Sequence, residues 1–433
     1  MMRIFIRSAL TLILPLSPIL LLPIPALAAL VGEHAGEILV DGPLNAQPAS
    51  GPANPDVVID ESGRSIWVWD GTPASTRAEV FLRIFPADGG PPTDPVQVNT
   101  FTADNQNYPR VAAGSDGSFL VAWLSKERPE PEDTFTRYVV RSQAFDANAN
   151  PDGDEQLLST LDPLLTTENK VDVAALPGGD YIVVWRSSQT PEPGDSSTSI
   201  QGRRIGADGT PLAGQFQINS TQTGTGESYP AVTELADGGF LVVWARPEVH
   251  GRRFKADFTP VGDDFSINTL TTGNESQTDV VVHEDGRVLV VWTDQEDRAN
   301  VTEIRGRLFN KNLVAQGTDF RINNLLTDTQ SSPRAANYGT AGFFVVWESN
   351  TSAGDDDSLP AIEGRILTGS DQFAGPEFQL NEWTPQKQQF PGIGGKNDRV
   401  AVGWDSATNV DSSSSVIYGQ FWSTCGIFCD GFE

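Results

Sequence analysis

The stretch YPAVTELADGGFLVVW, residues 229–244, is a near copy of YPRVAAGSDGSFLVAW at residues 108–123. Both contain a short apolar segment, a turn rich in Gly and Asp, and a second segment of Val and aromatic residues. This arrangement is typical of a β-hairpin. The pattern occurs seven times at similar intervals along the chain, and each copy ends in a Trp: Trp69, Trp123, Trp185, Trp244, Trp292, Trp347 and Trp404.

A second hairpin follows the Trp in most copies, and in the third repeat it reads IQGRRIGADGTPLAGQFQIN, residues 200–219. The spacing between its GR glycine and its Phe is identical in four repeats: Gly202 to Phe216, Gly251 to Phe265, Gly306 to Phe320 and Gly364 to Phe378. Each repeat is therefore expected to form four antiparallel strands, which we call A to D. Strand B lacks polar alternation, which indicates that both of its faces are covered.

A repeat of this length built from four strands predicts an all-β fold, a seven-bladed β-propeller of four-stranded antiparallel blades closed by an N-terminal strand. The seventh repeat ends after strand C, at VIYGQFW, so another segment must complete it. Residues 37–40 read as a strand, and we expect them to close the ring and remove its exposed edges. The predicted propeller spans residues 29–422, with blades that start near residues 55, 109, 171, 230, 278, 333 and 391.

The connections between strands B and C vary in length. The step from the Trp to the glycine of strand C is short from Trp244 to Gly251 and more than twice as long from Trp185 to Gly202. Because the B–C and D–A connections of such blades lie on one face of the ring, recognition is expected on that face. Its longest segments, residues 124–137, 186–199 and 348–361, are rich in Pro, Ser and acids, which also fits simple solvated insertions.

The N-terminal segment predicts export. In residues 1–28, Arg3 and Arg7 precede a long apolar run that ends in Ala26-Leu27-Ala28, the pattern of a cleaved secretory signal peptide. The alternative is a retained membrane anchor. We expect a secreted, periplasmic or cell-surface protein. With 29 Lys and Arg against 57 Asp and Glu, its net charge of −28 excludes nucleic acid as a partner and, after cleavage, association with anionic membranes.

Residues 423–433 form a C-terminal tail that holds both cysteines of the chain, Cys425 and Cys429. In an exported protein two neighbouring cysteines are expected to form a disulfide. The alternative is a sorting tail whose thiols are exposed to an enzyme.

The repeats resemble a family of secreted bacterial proteins with the motifs PxVAxLxDGGFxVVW, GxRF and FxVN, some of which are attached to hemolysin-type calcium-binding regions. The resemblance covers nearly all of residues 54–422. It implies a secreted propeller and says little about activity. The closing IFCDGFE is also similar to a short tail of exported bacterial proteins.

One position in the repeat is charged where neighbouring positions are apolar. The residue after the start of strand A is Ala231 or Gly392 in two repeats and charged in the other five: Asp56, Arg110, Asp172, Asp279 and Arg334. Strand A is the innermost strand of a blade, so these side chains should ring the channel. They are predicted to form the polar floor of a pocket for a cation or a small polar ligand. The alternative is a set of ion pairs between blades.

Other motifs favour structural roles. The run DANANPDGDE, residues 146–155, has the oxygen-rich look of a calcium loop but lacks a terminal bidentate Glu, so a plain turn is preferred. The histidines His34, His250 and His283 are scattered over different segments, which argues against a zinc site. The repeated Trp is expected in the core, with the Arg of GR as its partner or as the partner of a turn Asp.

Two classes of function fit this sequence. The preferred one is a non-enzymatic binding or scaffold protein, expected to be monomeric, that uses the B–C and D–A loop face to bind a protein, a glycan or a cation. The alternative is a secreted polysaccharide hydrolase or lyase on a propeller scaffold. No catalytic residue or cofactor is identified by the sequence, and calcium is a candidate ligand.

Overall fold

The computed structural model describes residues 33–34, 36–41, 50–72, 77–127, 137–159, 170–188, 198–220, 226–245, 247–295, 301–325, 328–354, 360–368, 372–382, 386–407 and 415–423. The predicted signal peptide, most of the long B–C segments and the two cysteines lie outside these residues. Within them, no helix is long and apolar enough to cross a membrane.

Seven antiparallel sheets are arranged as a seven-bladed β-propeller, as the repeats predicted. In blades I to VI the sheet follows chain order from the inner strand A to the outer strand D, and the only helical element described is a 3-10 turn at Gly339–Ala341. Blades I to VII contain the following strands: β3 Ser50–Ile59, β4 Ser65–Thr72, β5 Glu79–Phe85, β6 Val96–Gln97; β7 Gln106–Ala113, β8 Phe119–Glu127, β9 Arg137–Phe145, β10 Pro151–Leu157; β11 Val171–Ala175, β12 Tyr181–Ser187, β13 Ser199–Ile205, β14 Phe216–Gln217; β15 Ser228–Glu234, β16 Phe240–Ala245, β17 Val249–Phe254, β18 Phe265–Ser266; β19 Asn274–Val282, β20 Val288–Gln295, β21 Glu303–Phe309, β22 Phe320–Arg321; β23 Gln330–Tyr338, β24 Gly342–Ser349, β25 Ala361–Thr368, β26 Gln372–Phe373, β27 Phe378–Gln379; β28 Gln388–Lys396, β29 Arg399–Ala407, β30 Ser415–Ser423, with β1 Glu33–His34 and β2 Ile38–Leu39.

The hydrophobic core lies between blades. Every residue of strand β16 is buried, because blade IV is covered by blades III and V. Ile182 and Val184 of blade III, for example, share one cluster with Val242 and Trp244 of blade IV. The seven Trp residues of the repeat are all buried, as expected.

The GR motif joins neighbouring blades. The Nη1 atom of Arg252 donates to the carbonyl of Ile218 in the preceding blade at 2.7 Å, and its Nε donates to Gly262 O in the C–D turn at 3.2 Å. Its hydrogen-bond partners are thus backbone carbonyls and not the Trp. Its Nε also lies 3.8 Å from Asp264 Oδ1, so the pairing with an Asp of the C–D connection that the sequence suggested is present in this blade. The same pair of bonds recurs at the other Arg residues in this position: Arg83, Arg203, Arg307 and Arg365.

The N-terminal segment completes blade VII in the D position. Strand β2 pairs with β30, and the N–H of Val40 donates to Ile417 O at 2.8 Å. The carbonyl of Val40 accepts a hydrogen bond from Arg83 at 2.9 Å. This is the bond that the repeat Arg of a blade makes to the preceding blade, and here it joins blade I to blade VII. Residues 37–40 therefore close the ring, and the additional short strand β1 extends this pairing in a way the sequence did not predict.

The closing seam also has packing of its own. Trp67 of blade I is fully buried in a cluster with Val40 and Ile417. A Cβ atom placed on Gly403 or Gly419 would lie 2.5 or 2.6 Å from the Trp67 ring, so the two glycines of blade VII make room for it.

Candidate functional site

Strand A of every blade faces the axis, and its inward-facing positions form three rings. We call them the rim, middle and lower rings, in order from the end of the propeller that carries the B–C and D–A connections. The rim ring is Asn54, Tyr108, Lys170, Tyr229, Gln277, Ser332 and Phe390. The middle ring is Asp56, Arg110, Asp172, Ala231, Asp279, Arg334 and Gly392, which is the position singled out from the sequence. The lower ring is Val58, Ala112, Ala174, Thr233, Val281, Ala336 and Gly394.

Six of the seven rim residues occupy the left-handed region of backbone conformation. Their φ angles lie between 52 and 56°, and none is a glycine. Each belongs to a β-bulge in which two residues of strand A face the repeat Trp, as Tyr108 and Pro109 face Trp123 between the paired residues Asn107 and Arg110. Such bulges re-aim a side chain, and they are common beside functional sites.

Neighbouring side chains hold this conformation. In three cases the rim N–H donates to a side chain of the preceding blade: Tyr108 N to Asp70 Oδ2 at 2.7 Å, Ser332 N to Gln277 Oε1 at 2.9 Å and Phe390 N to Glu348 Oε1 at 2.6 Å. Both acids are buried, which raises their pKa, that of Asp70 to about 6. The rim is therefore held in place by the blades around it.

The backbone does not account for the residue types at the rim. A left-handed position favours Gly, Asn or Asp, and other residues cost about 1–2 kcal/mol there. Only Asn54 among the six is of a favoured type, whereas Tyr108, Tyr229 and Phe390 are aromatic. Strain of this kind persists where the side chain serves a purpose. Blade III is the exception, because β11 begins with a direct pair between Val171 and Trp185, and Lys170 precedes it.

The rim encloses an axial pocket of about 240 Å³. All seven rim residues line it, and Phe390 is 41% exposed at its mouth. Arg110 and Arg334 of the middle ring also line it, together with Pro55 and Pro391. No Asp or Glu of the described residues does.

The middle-ring acids brace one blade against the next. Asp56 accepts a hydrogen bond from the backbone N–H of Val111 at 3.0 Å. Asp172 does the same for Val232 N and Asp279 for Ala335 N, each at 2.8 Å. In all three cases the N–H belongs to strand A of the following blade.

The middle-ring cations lie between these acids and the pocket. Arg334 Nη1 is 3.6 Å from Asp279 Oδ1 in the preceding blade, so one of the inter-blade ion pairs considered from the sequence is present. Arg110 is buried and donates from Nη1 to its neighbour Pro109 O at 2.8 Å. At the position of Gly392 a Cβ would meet Pro55 O at 2.4 Å, because the backbones of blades VII and I approach closely there.

Burial shifts the protonation of these groups. It raises the pKa of Asp172 to about 7 and also that of Asp279, although Arg334 opposes both shifts. Burial and the nearby Arg334 and Arg110 lower the pKa of Lys170 to about 7. Burial likewise lowers the pKa of Arg110. The axis therefore holds two groups, Asp172 and Lys170, whose pKa values are shifted toward neutral pH from opposite sides.

Beneath the middle ring the channel widens into a second chamber of about 290 Å³ that leads toward the A–B turns. Its wall is made mostly of Val, Ala and Gly from the lower ring, with Asp56, Asp172 and Asp279 at its upper end. The charged middle ring thus separates a polar, aromatic pocket from a chamber lined mostly by small residues.

The structure brings the five predicted site residues together around the axis but divides them. Arg110 and Arg334 line the pocket, whereas Asp56, Asp172 and Asp279 lie below it as braces. Sequence reasoning missed the rim ring. The signal for the rim ring was the residue directly before the start of strand A as aligned in the sequence, a position that Pro usually follows. This residue differs from blade to blade, although the residues around it repeat.

The remaining candidates have structural partners. Asp146 accepts hydrogen bonds from the backbone N–H groups of Asn148 and Asn150, so residues 146–155 begin with a plain turn, as preferred from the sequence. His250 stacks on Trp244, and His283 bonds to Gly339 O at 2.7 Å. In the part of the chain that the structure describes, no three His, Cys, Asp or Glu residues are placed to hold a metal ion.

No family model and no curated protein matches this chain. Among solved structures, a protein of unknown function from Dyadobacter fermentans is similar, with a TM-score of 0.55, 12% identity and coverage of 91% of this chain and 99% of that one. The polysaccharide lyase Uly1 has a TM-score of 0.53 at 10% identity, with coverage of 88% and 92%. An α-L-arabinofuranosidase from Fusarium graminearum has a TM-score of 0.49 at 11% identity, with coverage of 90% and 98%. At these identities the likeness shows the propeller fold alone.

Proposed function

We propose that this chain is an exported binding protein that takes a small polar ligand, or the terminal unit of a glycan, in the axial pocket. The pocket opens at the end of the propeller that carries the B–C and D–A connections, which we call the variable-loop face. The observation that carries the proposal is the rim ring, six non-glycine residues held in left-handed bulges around one cavity. Their side chains are chosen against backbone preference, which a purely structural ring would not require.

The lining of the pocket supports a polar ring as ligand. Tyr108, Tyr229 and Phe390 offer aromatic faces. Asn54 and Gln277 add amide groups to the wall, although these amides also bond to Asp70 and to Ser332. A few polar groups among aromatic walls are typical of small-molecule sites. A volume of about 240 Å³ is below the roughly 300–1,000 Å³ of pockets for drug-sized molecules, so it fits one sugar unit better than a longer segment.

Rim substitutions test this proposal. A glycan array and a thermal-shift screen of metabolites with the full-length exported protein would identify ligands, and calorimetry would measure them. Tyr229→Asn and Phe390→Asn remove aromatic faces but suit the left-handed backbone, so we expect binding to be lost with little change in melting temperature. Leu313→Asn is the matched control, since Leu313 has the same conformation at φ 59° in a C–D turn of the opposite face.

Two outcomes would contradict the proposal. One is that the screens find no ligand for the unmodified protein. The other is that the Asn variants at Tyr229 and Phe390 bind as well as the unmodified protein and melt several degrees lower, which would make the rim a structural feature of the ring.

A second candidate function is a polysaccharide lyase, and Lys170 is the observation that favours it. Its amine shares the pocket with two arginines and two tyrosines, and burial together with those arginines lowers its pKa to about 7, which favours the unprotonated amine that a base requires. It could remove the proton beside the carboxylate of a uronic acid. The C=C bond then forms as the C–O bond to the departing sugar breaks, and that oxygen takes a proton from Tyr108 or Tyr229.

Incubation with polyuronates tests the lyase, because the conjugated product absorbs in the ultraviolet. Absorbance that grows with the unmodified protein and not with Lys170→Met would support it. No growth would exclude this chemistry and leave the binding proposal in place. Hydrolysis by two carboxylates has less support, since no acid of the described residues lines the pocket.

A further inference from the structure

We propose that the axial pocket selects a ligand with a carboxylate, such as a uronic acid unit, and that Arg110, Lys170 and Arg334 bind this group. The inference rests on the proposed function of the pocket. The sequence had suggested a cation or a small polar ligand, and an acidic ligand is opposite in charge to the first of these.

Charge is divided along the axis. The three charged residues that line the pocket, Arg110, Lys170 and Arg334, are all basic. The three acids of the middle ring line the second chamber, which Arg334 also reaches, and Asp172 adjoins the three basic residues around a small cavity of about 30 Å³. A ligand that enters from the variable-loop face therefore meets cations first, and like charges gathered in a cleft favour a counter-ion of opposite sign.

The acids support these cations from beneath and are poorly placed to bind an incoming cation. Although burial lowers the pKa of Arg334, the nearby carboxylates of Asp279, Asp56 and Asp172 outweigh it and raise that pKa. Asp56, Asp172 and Asp279 each use an oxygen to accept a backbone N–H of the next blade. Burial also raises the pKa of Asp172 to about 7. The acids therefore balance the cations from below, while the charged side chains in the wall of the pocket itself are all basic.

The basic side chains retain donors for a ligand. Each guanidinium carries five N–H groups, and the protein contacts shown are one bond from Arg110 to Pro109 O and the Arg334 contact with Asp279. Among the described residues, the Nζ atom of Lys170 has no hydrogen-bond acceptor. It lies 5.7 Å from the centre of the Tyr229 ring. Arginine pairs with carboxylates through two parallel bonds, which gives such a site geometric selectivity.

The acidic surface limits the size of the ligand. A protein with a net charge of −28 repels a long polyanion, and this repulsion reaches further at low salt. A single acidic unit can enter a local positive pocket with little of that cost. We therefore expect a monosaccharide acid or the end of a short acidic chain to bind better than a long polyuronate.

Binding should weaken with rising pH. Lys170 loses its positive charge and Asp172 gains a negative one as pH rises through their common pKa of about 7. The charged and titratable groups that face Lys170 are Arg110, Arg334, Glu348, Asp279, Tyr108 and Tyr229. Arg110 and Arg334 keep their charge throughout this range, so the change in the pocket is a loss of attraction for an anion.

Calorimetry with methyl glucuronide and methyl glucoside tests the inference, because the two differ only in the acid group. The full-length exported protein should bind the acid at least roughly tenfold more tightly at pH 6 than the neutral sugar, and this preference should shrink at pH 8. Lys170→Met should reduce the acid's affinity, flatten its pH dependence and leave folding intact, since it removes a buried charge. Arg334→Gln should also reduce it, whereas Lys311→Met, at an exposed lysine of a C–D turn, should change nothing.

The outcomes separate this inference from the proposed function. Equal affinity for acid and neutral sugar, or a Lys170→Met variant with unchanged acid affinity and pH profile, would overturn the charge selectivity and leave the pocket as a neutral site. Binding of a neutral glycan from the array but no acid would do the same. If neither methyl glycoside binds and no array glycan or screened metabolite does, the proposed function itself fails.

Discussion

The closure of the ring can be tested with a matched pair of substitutions. Val40 of the N-terminal strand and Val98 of blade I occupy the same position after strand D, and their N–H groups donate to Ile417 O and Val80 O, each at 2.8 Å. Val40 is fully buried and Val98 is 4% exposed. If the N-terminal segment is an integral strand, Val40→Ala and Val98→Ala should cost the same free energy of unfolding.

The size of this cost follows from the burial of the two side chains. Each substitution removes two buried carbon groups at about 0.8 kcal/mol each, and the cavity that remains raises the total to about 2–3 kcal/mol. An unfolding entropy of about 2.1 cal/mol/K per residue over a chain of about 400 residues gives about 0.8 kcal/mol/K. Each variant should therefore melt about 3 °C below the unmodified protein.

Differential scanning calorimetry would measure the melting temperatures, and hydrogen exchange would report on the Val40 amide. The reasoning would be refuted if Val40→Ala had the same melting temperature as the unmodified protein while that of Val98→Ala were about 3 °C lower. That result would show that the N-terminal strand opens separately. Deletion of residues 30–41 should have a larger effect, since it also removes the carbonyl that Arg83 bonds. The control is the purified unmodified protein in the same buffer.

Three further outcomes are expected. Burial raises the pKa of Asp172 and Asp405 to about 7, so their contribution to stability is present below about pH 4 and is lost as pH rises through 7; thermal unfolding should give a higher melting temperature at pH 5 than at pH 8, and a flat profile would contradict this. Asp172→Asn keeps the backbone acceptor for Val232 and leaves the Asp279–Arg334 pair intact, so stability should change little and affinity for an acidic ligand at pH 8 should rise, whereas a calcium-dependent stabilisation that this variant abolishes would favour a cation site. Cys425 and Cys429 should form a disulfide that stabilises by only about 2 kcal/mol, and alkylation that finds two free thiols in the exported protein would disprove it.

Much of the fold could be predicted because the determining information is local and repeated. The interval from strand A to each Trp and the constant step from the GR glycine to the following Phe, as from Gly202 to Phe216, fix hairpins whose strands are neighbours in sequence. Seven copies then require a closed ring, and the missing strand D of the last copy identifies residues 37–40 as its substitute. Each of these inferences depends only on pattern and counting.

The sequence also identified the charged middle ring, because Asp56 and Arg334 stand where the repeat frame is otherwise apolar. It could not tell which charges face the ligand. That depends on the position of each side chain along the axis relative to blades that are distant in the sequence, for example the N–H of Val111 that Asp56 accepts. Ion pairing and ligand binding produce the same residue types in sequence, so only geometry separates them.

The rim was decided by tertiary structure alone. Tyr108 precedes a proline in a strand, and nothing in the local sequence requires its backbone to turn into the left-handed region. The turn exists because two residues of strand A must face one Trp of strand B, and because Asp70 of the preceding blade binds the Tyr108 N–H. A conformation disfavoured in isolation is maintained by contacts between separate blades, and these contacts form only when neighbouring blades pack against each other.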